Sequence, residues 1–102
     1  MSKEIRPHEV ADRINKGPEL VILDVREHDE WESGHIPEAR HIPLGELEAR
    51  LHELDSSLET VVVCRSGNRS GIACKFLSAM GYNVSNMPGG MSKWTGVVKY
   101  GK

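Results

Sequence analysis

The sequence predicts a small α/β sandwich, a parallel sheet covered by helices on both faces. Two observations lead there. The apolar runs Leu20-Val-Ile-Leu23 and Thr60-Val-Val-Val63 are continuous, not alternating, as expected of strands buried on both faces of a parallel sheet. Segments with helical spacing separate such runs, and strands that alternate with helices in a short chain imply parallel pairing with helical crossovers. A chain of 102 residues has room for one hydrophobic core, so residues 1–102 are expected to form one domain.

Each element has its own signal. Pro7 suits a first helical turn, and Val10, Ala11 and Ile14 follow at helical spacing, predicting a helix over about Pro7 to Asn15 that Gly17-Pro18 stops. The Leu20 to Leu23 strand runs into Asp24-Val-Arg26-Glu27. Asp29 and Glu30 suit the first turn of a short helix, with Trp31 as its apolar anchor and Gly34 at its left-handed end. His35 to Pro43 has little periodicity and predicts at most a short strand around Ala39 to Ile42. Leu44, Leu47, Leu51, Leu54 and Leu58 recur every three or four residues and predict an amphipathic helix. After the Thr60 to Val63 strand, a helix starting near Asn68 to Ser70 is lined by Ile72, Ala73, Phe76, Leu77 and Met80 and ends at Gly81. A strand around Tyr82 to Ser85, the turn Met87-Pro-Gly-Gly90 and a terminal helix with Met91, Trp94 and Val98 complete the prediction.

Composition narrows the function. A net charge of −2 argues against a general nucleic-acid or anionic-membrane binder, so any anion binding must be local. Cys64 and Cys74 form neither a disulfide framework nor a zinc-ribbon or C-x-x-C spacing, and the scattered histidines offer no metal site. The charged segment Met1 to His8 is no signal peptide, and no apolar run approaches the roughly 20 residues of a membrane helix. A cytoplasmic monomer is expected.

The richest stretch is Cys64-Arg-Ser-Gly-Asn-Arg-Ser70. A β-branched strand delivers Cys64 to the edge of a sheet, where ligands of parallel sheets bind, and the loop then turns its amides inward ahead of a helix. Inward amides, the helix start and the guanidiniums of Arg65 and Arg69 all favour thiolate over thiol. An ordinary thiol near pKa 8.5 is about 3% ionised at pH 7, and one lowered to about 6 is roughly 90% ionised. Gly67 supplies a backbone conformation that residues with a Cβ adopt poorly.

Four stretches in order carry a resemblance to the rhodanese family in its single-domain form: Asp24-Val-Arg26-Glu27, Glu32-Ser-Gly34-His35-Ile36-Pro37-Glu-Ala39, Cys64-Arg-Ser-Gly-Asn-Arg-Ser70 and Gly89-Gly90-Met-Ser-Lys-Trp94. The resemblance implies a three-layer sandwich with a central parallel sheet of about five strands. It also implies sulfane-sulfur transfer through a persulfide on Cys64, from thiosulfate or a similar small anionic donor to cyanide or a thiol, with a sulfur-carrier protein as a further candidate partner and no cofactor. Arg65, Ser66, Gly67, Asn68, Arg69 and Ser70 would form the substrate-binding loop. Arg65 would attract the donor, and Arg69 would bind anion or brace the loop on Asp24 or another carboxylate. Asp24 is expected to support the loop or nearby backbone, and Arg26 to pair with Glu27, Glu30 or Glu32 at the surface.

Other readings compete. A cysteine phosphatase or arsenate reductase shares the strand-to-helix thiolate, but such enzymes place five residues between cysteine and arginine, whereas four separate Cys64 from Arg69. Val63 also stands where a histidine would precede the cysteine, and no proton donor is evident. A non-catalytic binding or regulatory module would keep the fold, although inactive relatives usually lose the cysteine. In a thiol redox sensor Cys74 would resolve an oxidised Cys64, but its place within a helix suits a small core residue better. His35 reads as a structural histidine.

Overall fold

The computed structural model describes residues 3–102; Met1 and Ser2, the start of the charged N-terminal segment, lie outside them. Five parallel strands form one sheet: β1 (Lys3–Glu4), β2 (Val21–Asp24), β3 (Arg40–His41), β4 (Thr60–Val63) and β5 (Val84–Asn86), in the order β1-β5-β4-β2-β3. Helices α1 (Pro7–Lys16), α2 (His28–Glu32) and α3 (Asn68–Ala79) connect them, with 3-10 turns at Leu44–Glu46, Leu51–Glu53 and Gly90–Lys93.

β4 lies at the centre. It pairs with β2 from Val21↔Thr60 to Asp24↔Val63 and with β5 from Thr60↔Val84 to Val62↔Asn86. Because side chains alternate across a strand, Val61 and Val63 enter one core with Val10, Ile22, Ile36 and Met87. Val62 and Cys64 enter the other with Leu23, Ala73, Cys74 and Leu77. The continuous apolar run is thus shared between two layers, and each fully buried valine stabilises the fold by about 1.5–3 kcal/mol. The same alternation turns Cys64 towards α3.

Three expectations need correction. The leucine run from Leu44 is not an α-helix but two separate 3-10 turns. A spacing of three also suits a 3-10 turn, Gly45 weakens helical propensity, and Arg50 at φ −108°, ψ 17° breaks any continuous helix. Leu47 is nevertheless buried, with Leu44, Leu51 and Leu54 packed around the same core. The terminal helix is also absent: after one 3-10 turn Trp94 is extended, and Lys99 exchanges backbone hydrogen bonds with His35 at 2.8 and 2.9 Å. β5 begins later than Tyr82, because the Tyr82 amide still donates to Leu77 of α3 at 3.0 Å. β1 carries no apolar signal; its exposed Lys3 and Glu4 join the sheet through backbone pairing with Ser85 and Asn86.

Candidate active site

β4 ends at Val63, one residue before Cys64, and the chain must reverse its peptide directions before α3 begins. The last 3-10 turn accomplishes this: the amides of Met91 and Ser92 donate to the carbonyls of Cys64 and Arg65 at 2.8 and 2.9 Å. In a trans peptide C=O and N–H point in opposite directions, so drawing these carbonyls towards the turn faces the Arg65 and Ser66 amides the other way. Gly67, at φ +104°, closes the loop as the N-cap of α3, and its amide donates to Cys64 Sγ at 3.0 Å. Ser70 Oγ lies 3.3 Å from the same sulfur. Gly90, at φ +56°, permits the close approach, since a Cβ there would lie 2.3 Å from the Cys64 carbonyl oxygen.

Cys64 is 1% exposed. Burial pushes its thiol up, but the hydrogen bond that the Ser70 hydroxyl can turn to give the thiolate, together with the amides of Ser70, Gly67 and Ser66, outweighs it, so the pKa lies below that of an ordinary cysteine. Cys74, one layer into α3, goes the other way. Burial, followed by the charge of Cys64, raises it to about 11, which suits a core thiol.

The two loop arginines divide in role. Both terminal nitrogens of Arg69 are held by Glu30 of α2, at 2.6 and 2.8 Å. The Arg69 hydrogen bonds hold the Glu30 carboxyl down at about 2 against the opposing effect of burial. Arg69 therefore braces the loop on a carboxylate, and that carboxylate is Glu30, not Asp24. Arg65 is exposed and lines an open cleft of about 460 Å³ with Arg26, Glu30, Ser33, Met91 and Ser92. Ser66 and Asn68 are exposed on the loop, while Ser70 is fully buried.

Arg26 corrects the expectation of a surface pair. It is 5% exposed, and its Nε and Nη2 grip the fully buried Asp24 at 2.8 to 3.1 Å, while Nη2 also donates to the Gly34 carbonyl at 2.8 Å. Asp24 thus fixes Arg26 and, through it, the Gly34 turn, and it stands in sheet register with Val63, the residue before Cys64. Nearby, Trp31 stacks on His35 and His41 with ring centroids 3.5 and 4.7 Å away. His35 Nδ1 lies 2.7 Å from the Trp31 carbonyl and His41 Nε2 lies 2.7 Å from that of Arg26, so both rings have structural partners.

Two participants escaped the sequence reading. Gly90 stands in a turn and in the Gly89–Trp94 stretch of the resemblance, but neither assigns it a role; its contact with Cys64 joins distant parts of the chain. Asn86, at the end of β5, donates from Nδ2 to the Gly67 carbonyl at 3.2 Å and accepts from the Ser70 hydroxyl at 2.5 Å. A polar residue closing a strand beside the central one was the available signal.

A parallel sheet whose central strand delivers a cysteine into a strand-to-helix loop of amides defines a class of small α/β proteins. The rhodanese-like domain pattern matches residues 6–96, and the chain belongs to that family. It is 40% identical to a Bacillus subtilis protein named "Putative sulfurtransferase YtwF", covering 95% of this chain and 94% of that one. It is 42% identical to a second B. subtilis protein, "Putative sulfur carrier protein YrkF", covering 91% of this chain and 51% of the relative, so the likeness reaches about half of that protein. The crystal structure of a rhodanese-like domain protein from Staphylococcus aureus superposes with a TM-score of 0.91 at 28% identity, covering 98% of this chain and 99% of the other. Among the described residues no helix is long and apolar enough to cross a membrane.

Proposed function

We propose that this protein is a sulfurtransferase that carries sulfane sulfur as a persulfide on Cys64. The observation that carries the reading is the surroundings of Sγ: the Gly67 amide at 3.0 Å and the Ser70 hydroxyl at 3.3 Å, in a loop whose carbonyls are drawn away. Such a site stabilises negative charge on the first sulfur, and the same amides would meet the charge on a terminal persulfide sulfur.

With thiosulfate, the Cys64 thiolate attacks the outer sulfur. A Cys64–sulfur bond forms, the sulfur–sulfur bond of the donor breaks, and its electron pair leaves with sulfite. Cyanide or a thiolate then attacks the terminal sulfur of the persulfide, and the electron pair of the cleaved bond returns to Cys64 as thiolate, releasing thiocyanate or a new persulfide. The two half-reactions predict ping-pong kinetics. Arg65, exposed at the cleft, attracts the dianionic donor; Arg69 keeps the loop closed through Glu30. A phosphatase reading fits less well, because the arginine that would cradle phosphate is committed to Glu30. The relative named as a sulfur carrier supports a protein or small thiol as the acceptor, and two free cysteines suit a reducing cytoplasm.

Intact-protein mass after brief exposure to thiosulfate tests this directly. Wild type should gain one sulfur atom and Cys64→Ser none, and cyanide should discharge the gain as thiocyanate. A folded wild type that takes up no sulfur from thiosulfate or from a small-molecule persulfide would overturn the proposal.

A further inference from the structure

The hydrogen-bond partners around Ser70 permit only one arrangement of protons. The Gly67 carbonyl can only accept, so the Asn86 atom 3.2 Å from it must be the amide nitrogen, and the Asn86 oxygen must face Ser70. Two oxygens 2.5 Å apart need a hydrogen between them, and the Asn86 oxygen has none to give. The single hydroxyl hydrogen of Ser70 therefore lies on the Asn86 side. Towards Cys64, Ser70 offers a lone pair, which suits an S–H donor at 3.3 Å but repels a thiolate.

We propose that Asn86 is a positioning residue that restrains ionisation of Cys64 by holding the Ser70 hydroxyl proton away from the sulfur. When Cys64 loses its proton to solvent, the Ser70 hydroxyl turns from Asn86 to Sγ, and the Ser70–Asn86 hydrogen bond is given up. The amide cannot turn over to restore it without setting its oxygen against the Gly67 carbonyl. Ionisation at Cys64 thus costs a hydrogen bond at the end of β5, and the partly buried Asn86 sets the fraction of thiolate through a residue it does not share a strand or helix with. When a terminal sulfur is added to Cys64, the same hydroxyl is offered the same choice between the inner sulfur and Asn86.

Other groups bear on Cys64 as well. Arg69 and Cys74 of α3 interact with its charge. Arg65 belongs to the loop, and the Asp24–Arg26 pair stands at the end of β2, internally neutralised. Glu30 of α2 is matched by Arg69, and Lys93 of the last 3-10 turn is exposed. None of them is altered by an uncharged substitution at position 86.

This inference rests on Cys64 being the working thiol of the proposed function, yet its test reads the thiol itself. The rate of iodoacetamide alkylation of the Cys64-bearing peptide, followed by mass against pH, gives the apparent pKa in wild type, Asn86→Leu, Asn86→Ala, Ser70→Ala and Ser70→Ala/Asn86→Leu. Asn86→Leu keeps the bulk and removes the acceptor, and should lower the apparent pKa by about half a unit, a roughly threefold gain in thiolate below the midpoint. Asn86→Ala should move it in the same direction. In the Ser70→Ala background the Leu substitution should give no lowering, since the hydroxyl that transmits the effect is gone. If Asn86 only braces the loop, loss of its bond to Gly67 would loosen the amides and raise the pKa in both backgrounds. A rise, no shift, or an equal lowering without Ser70, in proteins with intact thermal melting, would overturn the proposal. Failure to form a persulfide would overturn the sulfurtransferase reading while leaving this titration unaffected.

Discussion

A methyl group at Gly90 would meet the Cys64 carbonyl oxygen at 2.3 Å and the Arg65 carbonyl carbon at 2.7 Å. Both are backbone atoms that cannot swing aside, so Gly90→Ala should displace the loop. Sulfur loading should fall at least tenfold with a lower melting temperature, as stopped-flow loading and calorimetry would show. Gly67 differs, because a Cβ there finds only ordinary contacts from 3.4 Å outwards, and the difficulty is its φ of +104°. Gly67→Val should cost about 1–3 kcal/mol of strain and reduce turnover far more than stability; wild-type turnover in a folded variant would refute this. Arg65→Ala should raise the KM for thiosulfate more than it lowers the reactivity of the loaded persulfide, and an unchanged KM would show that Arg65 takes no part in donor capture. At this scale the sequence displayed what is contiguous. Cys64, Gly67 and the arginines stand within one heptapeptide, whereas the contacts of Gly90 and Asn86 with it exist only after the chain has folded back.

Between elements, the Glu30–Arg69 pair ties α2 to the start of α3. Its side chains are 25% and 31% exposed, so solvent screening reduces its value to about 1 kcal/mol despite the large shift at Glu30. The folded carboxyl lies at about 2, below its ordinary 4.5, so the stabilisation is fully present above pH 4.5 and is lost as pH falls towards 2. Glu30→Gln should therefore melt below wild type at pH 7, and the gap should narrow between pH 5 and pH 3; a gap independent of pH would mean the ion pair is not its source. The buried Asp24–Arg26 pair behaves differently. Arg26→Leu leaves a carboxylate that is 0% exposed without its guanidinium and should cost about 3 kcal/mol or more by urea unfolding, whereas a loss below about 1 kcal/mol would show that Asp24 finds another partner. The sequence marked Asp24 and Arg26 but not their pairing, because two residues apart at a strand end they can meet or diverge according to how the chain turns. The leucines from Leu44 were legible as a buried stripe and illegible as to helix type, since their period serves both an α-helix and successive 3-10 turns.

Across the whole molecule, the architecture followed from the two continuous apolar runs, which became the central β4 and its neighbour β2. What the runs could not convey was the edge of the sheet. β1 and β3 are two residues long, and their main-chain hydrogen bonds are independent of side-chain polarity. That brevity has a consequence for life in a crowded solution. An outer strand is where a second chain can extend a sheet, and here the two outer strands read Lys3–Glu4 and Arg40–His41, short and charged. Among the described residues there is too little unpaired backbone on either flank to template another copy, so these edges should seed aggregates less readily than longer, apolar ones.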